Sequence, residues 1–119
     1  IEKPVTEFVV EPQIYQLKDG SYLSLGFSIV IDQDKAEKVT EILTITAPAR
    51  LPDGINMILG NKSRGELIDG SHKRAAFVRE IKKMLEERVF NSYNEKQQST
   101  EDMIQVREVR LAKLVTQIG

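Results

Sequence analysis

An aspartate, a serine and the chain's single histidine fall together in Asp69-Gly70-Ser71-His72, the residue types of an acid, a nucleophile and a base. A triad needs those groups to converge with defined geometry, and the Gly-x-Ser-x-Gly elbow that would present the serine is absent. Ser71 reads instead as a helix N-cap behind an Asp69-Gly70 turn, which leaves His72 exposed in the first helical turn. A small hydrolase using Ser71 and His72 is the minor alternative. Gly60-Asn61-Lys62-Ser63 resembles a phosphate loop only superficially. Five residues separate Gly54 from Gly60, Asn61 intrudes before Lys62, and a helical rather than a strand pattern precedes the loop. Asp32 and Asp34 are the nearest approach to an oxygen-rich cation loop, and turn formation or capping explains both. The expectation is therefore a protein that is not an enzyme, with no catalytic, cofactor-binding or metal-ligating residue.

The elements that would hold these residues follow from apolar spacing. The chain has 119 residues, 40% of them apolar and 29% charged, the profile of one folded domain across 1–119. A net charge of −1 disfavours nucleic acid as a partner. Cysteine is absent, which excludes disulfides and thiolate metal sites. No run of apolar residues is long enough to span a bilayer. A chain opening on Ile1 rather than Met suggests a trimmed or processed product whose anchor lay upstream.

Leu23, Leu25, Phe27, Ile29 and Ile31 alternate with other residues, predicting a half-buried strand over Tyr22–Ile31. The Asp19-Gly20 pair before it suits a tight hairpin turn, so the arm Phe8–Leu17 should pair antiparallel with it. Pro12 lacks a ladder donor and places that arm at an edge, or breaks it there. Asp34 and Glu37 have capping-box spacing ahead of a helix from Lys35, with Ala36, Val39, Leu43 and Ala47 on one face until Pro48. Pro52 to Gly60 predicts a second short helix, which Gly54 weakens. The longest helix spans Ser71–Phe90, with Phe77, Ile81, Met84, Leu85 and Val89 on one stripe. Lys82–Glu86 and Lys83–Glu87 are expected as i,i+4 pairs on its outer side. Asn91–Asp102 predicts a long mobile loop reaching away from the core. In the closing strand, apolar residues change parity between Val106 and Val109, which calls for a bulge near Arg107-Glu108. The fold class expected is α+β, an antiparallel sheet with helices packed on one side.

Charge is unevenly distributed. Residues 1–34 carry two lysines against six carboxylates, net −4, whereas residues 71–91 carry six cations against three carboxylates, net +3. Glu7, Glu11, Asp32 and Asp34 on one side, and Arg79, Lys82 and Lys83 on the other, are candidates for a head-to-tail interface between identical subunits.

The spacing Leu51-x-Asp53-x-Ile55-x-x-x-Leu59-x-x-Lys62-Ser63, followed by Leu67, Lys73 and the closing run Val106, Val109, Leu111, Leu114, Val115, resembles the periplasmic domain of the flagellar basal-body FliL family. The likeness covers nearly the whole chain. Pro52 and Gly54 depart from it, since relatives usually have better helix formers there, and the polar stretch before the last strand is longer. The resemblance implies a stomatin/prohibitin (SPFH)-like fold on the periplasmic side of the bacterial inner membrane, carried by an upstream transmembrane anchor. It implies a homo-oligomer, as a ring, around the flagellar stator proteins, supporting torque and motility. A stomatin-like membrane scaffold with no motor role is the alternative within binding proteins.

Overall fold

The computed structural model describes residues 3–68 and 71–117. Strands β1 (Val5–Gln16) and β2 (Tyr22–Asp32) form an antiparallel hairpin, and β3 (Val106–Gln117) pairs antiparallel with the other side of β2. The fold is α+β, with β2 central and β1 and β3 as edges. The hairpin turn forms at the expected Asp-Gly pair: Gly20 has φ +86°, and the Leu17 amide donates to the Ser21 carbonyl at 2.8 Å.

All five alternating residues of β2, from Leu23 to Ile31, are at most 1% exposed. They face a core completed by Val39, Ile55, Leu59, Leu67, Phe77, Ile81, Leu85, Val89 and Phe90 from the helical segments between β2 and β3. Both edge strands bend at the level of Gly26. Register on β1 slips between Val10 and Gln13, so that Glu11 and Pro12 together oppose Gly26, and a Cβ on Gly26 would stand 2.9 Å from Pro12 Cγ. The expected disruption at Pro12 and its edge position are both present. On β3 the register slips at Arg107, where the parity change called for a bulge, and again at Ala112. This second slip turns Leu114 toward the core and Val115 to the other face.

Between the strands, α1 (Ala36–Glu41) runs into a wide π turn over Ile42–Thr46, closed by the Ala47 amide on the Ile42 carbonyl at 2.9 Å. Hydroxyls of Thr40 and Thr44 bond the carbonyls four residues back, a habit that loosens helices. The expected capping box at Asp34 and Glu37 does not form. A 3-10 turn already begins at Gln33, which puts Asp34 inside the first turn, 3.6 Å from Lys35 Nζ.

Helix α2 (Arg50–Leu59) starts two residues before the expected Pro52 and buries Leu51, Gly54, Ile55 and Leu59. Gly54 has a packing reason, since a Cβ there would lie 2.4 Å from Met84 Sδ. The short α3 (Gly65–Ile68) leads to α4 (Ser71–Met84), which continues into a second π turn over Leu85–Val89. The Phe90 amide donates to the Leu85 carbonyl at 2.9 Å, the i→i+5 bond of such a turn. The expected pairs Lys82–Glu86 and Lys83–Glu87 are not among the ion pairs of the described residues. The wider turn changes the angle between positions four apart, so the i,i+4 rule lapses where α geometry ends.

Asn91–Asp102 is more ordered than a loop. Asn91–Asn94 forms α5, Thr100–Asp102 a 3-10 turn, and Tyr93 packs against the core. The Asn94 amide group donates to the Ile104 carbonyl at 3.0 Å, while the Ile104 amide donates to Asn94 Oδ1 at 2.8 Å. One side chain thus occupies both backbone groups of Ile104 as a neighbouring strand would, and it holds the segment against the body.

Candidate interaction surface

Because the helices cover one face of the sheet, the opposite face shows what remains for a partner. Cross-strand rows on that face run Glu7–Val30–Glu108, Val9–Ser28–Arg110 and Ile14–Ser24–Val115, with Gln16–Tyr22 beyond them. Among the described residues seven large apolar side chains are exposed, and five of them, Val5, Val9, Ile14, Tyr22 and Val115, lie on this face. Ile14 is 69% exposed and Val115 46%. Such a concentration marks an interaction surface more strongly than scattered exposed residues would.

The face has two chemically different ends. Toward Val5, Arg110 bonds both Glu7 and Glu108, spanning all three strands above Val30, which is only 3% exposed. Arg107, released by its bulge, makes a bidentate pair with Asp32 at 2.9 and 2.9 Å. This hydrogen-bonded guanidinium holds the Asp32 carboxyl below the usual carboxylate range against the opposing effect of its burial. Toward the hairpin turn, Ile14, Val115 and Tyr22 surround small Ser24 and carry no ionisable neighbour within their cross-strand rows.

The charged interface candidates divide accordingly. Glu7 and Asp32 are engaged within the chain by Arg110 and Arg107. Glu11 is exposed on the β1 bulge, and Asp34 is exposed beside Lys35. Arg79, Lys82 and Lys83 are exposed on α4, and none of the three has an ion-pair partner among the described residues. Glu7 and Asp32 of the segment 1–34 are thus neutralised by β3, whereas Arg79, Lys82 and Lys83 stay exposed. Beside it, Met57 is 50% exposed in a groove of about 350 Å³ bordered by Lys62, Lys83 and Arg88 and by Glu80 and Glu87.

The residues of the helical motif make a corner that joins three parts of the chain. Ile55, Leu59 and Leu67 are fully buried. Lys62 pairs with Glu80 at 2.7 Å, and its carbonyl accepts the Lys18 amide at 2.9 Å. Glu66 Oε1 accepts from the Ser63 hydroxyl at 3.2 Å and from the Ser63 amide at 3.4 Å, the glutamate half of a capping box, while the Glu66 amide donates to the Ser63 carbonyl at 3.1 Å. Asp19 ties the hairpin to this corner by accepting the Arg64 amide at 3.0 Å, then the Ser21 hydroxyl and amide. Those donors stabilise the charged carboxylate and hold its pKa down to about 2. Arg64 reaches on to Thr116 Oγ1 at 3.0 Å, fastening β3 as well.

His72 is exposed in the first turn of α4, as expected. The expected Asp69-Gly70 turn lies outside the described residues, as does the Ser71 side chain that was expected to cap α4. Asp32 and Asp34 do not share a site, since the first is held by Arg107 and the second neighbours Lys35.

The sequence reading missed the open face. Its trace is present as apolar doublets, Val9-Val10, Ile14-Tyr15 and Leu114-Val115, each of which puts one apolar side chain on either side of a strand. Comparison with protein-family models returns no match for this chain, and comparison with curated proteins returns none.

Proposed function

We propose that this chain is a non-catalytic assembly domain similar to the periplasmic domain of FliL, with the SPFH-like arrangement that the resemblance implies. Its role would be to pack into a homo-oligomer on the periplasmic side of the inner membrane and support the flagellar stator. The motif residues support this reading by what they do: they lock a hairpin, a helical corner and the last strand into one body. The observation that carries it is the uncovered sheet face with its five exposed apolar side chains.

The occupant we assign to that face is a second copy of this chain, offered head to tail. The apolar end around Ile14 would meet the α2–α4 side of its neighbour, where Met57 stands exposed. Glu11 would then approach Lys82 and Lys83, which have no ion-pair partner among the described residues. Two different patches meeting in this way propagate around a ring, whereas a face packed on itself stops at a dimer. The whole open face, three strands about 4.8 Å apart and about 12 residues long, offers at most roughly 500 Å² on each partner, or about 1,000 Å² in total. That is the lower limit of a specific interface, so free domains should associate weakly and anchored ones readily.

Sedimentation velocity across a wide concentration range tests the contact. The native chain should associate at high concentration, Ile14→Lys and Met57→Lys should each abolish it, and Ile45→Lys, on the exposed π turn, should not. Glu11→Lys should weaken association, and Lys83→Glu in the same chain should restore it. A native chain that stays monomeric at its solubility limit, or indifference to Ile14→Lys, Met57→Lys and Glu11→Lys alike, overturns the assignment. Fluorescently tagged full-length protein away from flagellar motors would overturn the motor role separately.

A further inference from the structure

Away from both surfaces, a cavity of about 280 Å³ opens where the two π turns approach each other. Ile42 and Val89, one from each π turn, line it. Lys38 comes from α1, Arg50 from the start of α2, Ser92 and Tyr93 from α5, and Lys96 from the turn that follows. Arg50 Nη1 donates to Ser92 Oγ at 2.7 Å, which orients the guanidinium and leaves the serine hydroxyl proton free to donate. Lys38 Nζ stands 5.8 Å from the centre of the Tyr93 ring.

Three cations face this cavity against one carboxylate, Glu41, which pairs with Lys38 at 3.1 Å. Neither Arg50 nor Lys96 has an ion-pair partner among the described residues. Like charges brought together from separate elements repel one another, and an anion between them reverses the sign of that interaction. π turns are rare and gather at functional sites, and both of this chain's described π turns border the same cavity.

We infer that this cavity binds a phosphate monoester group. The excess of two positive charges matches the charge of about −1.5 to −2 that such a group carries near neutral pH. A guanidinium fork, a lysine and the Ser92 and Thr46 hydroxyls provide donors for tetrahedrally arranged oxygens. The volume accommodates a phosphate group, and the exposed Thr46, Arg50 and Lys96 at its rim leave the organic part of the ester room to extend into solvent. This site is independent of the head-to-tail contact, because none of its residues lies on the open sheet face or on the cationic face of α4.

The test is amide chemical-shift titration of the isotope-labelled chain at low ionic strength, with inorganic phosphate in one arm and glycerol phosphate in the other. Saturable shifts at Thr46, Val89, Ser92 and Tyr93 are expected in both arms. Tighter binding of the ester supports the monoester assignment, and equal or tighter binding of the free ion overturns it. Arg50→Gln and Lys96→Gln should each weaken binding about tenfold, while Lys18→Gln leaves it unchanged. Circular dichroism of each variant checks that the fold persists. Shifts that never saturate, that spread equally over Arg79, Lys82 and Lys83, or that survive in the Arg50 and Lys96 variants overturn the inference.

Discussion

The two faces of the sheet are made by the same three strands and answer to different physics. On the covered face every residue of β2 from Leu23 to Ile31 at alternate positions is buried, and the helices complete a continuous core against them. On the open face, apolar, small and ionic side chains stand in adjacent rows, and Val9, Ile14 and Val115 remain in water. The first face determines whether the chain folds. The second is free to determine what it touches, and substitutions should separate these roles.

The largest effect should come from the covered face. Phe27 is fully buried at the centre of β2, beside the bend at Gly26. Phe27→Ala removes a ring from the middle of the core and leaves a cavity, which should cost about 3–5 kcal/mol in urea-induced unfolding. A loss of less than 1 kcal/mol would mean that the covered face is not the seat of stability, and the contrast would collapse.

An intermediate effect belongs to the ionic end of the open face. Asp32→Ala deletes the bidentate partner of Arg107, but the guanidinium is 44% exposed and can rehydrate. The loss should therefore be about 1–2 kcal/mol, at the low end for hydrogen bonds to a charged group. If unfolding gave a loss equal to that of Phe27→Ala, the open face would be part of the fold's foundation rather than a surface resting on it.

These magnitudes explain which parts were legible in the sequence. Period-two spacing in β2, the Asp19-Gly20 turn, the stripe of α4 and the bulge at Arg107 each follow from local pattern acting in the same direction as burial. The second slip at Ala112 could not be read, because Leu111, Leu114 and Val115 permit more than one register, and pairing with Leu25 and Ser24 selects between them. Asn91–Asp102 read as a loop because its polarity concealed Asn94, whose side chain binds Ile104 across ten residues. The intrachain partners of two charge candidates were hidden for a related reason. Summing by segment could not reveal that Arg107 and Arg110 return from the far end of the chain to Asp32 and Glu7.

A smaller effect, visible through pH, concerns the corner joining the hairpin to the helices. Asp19 has a folded pKa of about 2, below its ordinary value of 3.8, because the Arg64 amide and Ser21 donate to the carboxylate. A depressed pKa means that the folded state binds the proton less readily than the unfolded chain. The stabilisation is thus present above about pH 4 and is lost as pH falls from there toward about 2. Asp19→Asn should melt at a lower temperature than the native protein at pH 7, and the gap should close on acidification. A gap of constant size between pH 7 and pH 2 would show that the loss comes from geometry and not from the charge.

The smallest effect on stability, and the one that sharpens the contrast most, should come from the apolar end. Ile14 and Val115 flank Ser24 in one row, and both project into solvent in the isolated chain. Ile14 is 69% exposed and Val115 46%, and the methylene stems of lysines keep part of the contact these side chains make while their charges stay hydrated, so unfolding should change by no more than about 1 kcal/mol. Like charges across Ser24 sit too far apart in high dielectric to add more. Yet the same double substitution should eliminate concentration-dependent association, because two desolvated ammonium groups cannot be accommodated at the centre of so small an interface. If it instead unfolded the chain, the open face would be holding the sheet together. If it left both stability and association untouched, the apolar end would have no role in contact between copies.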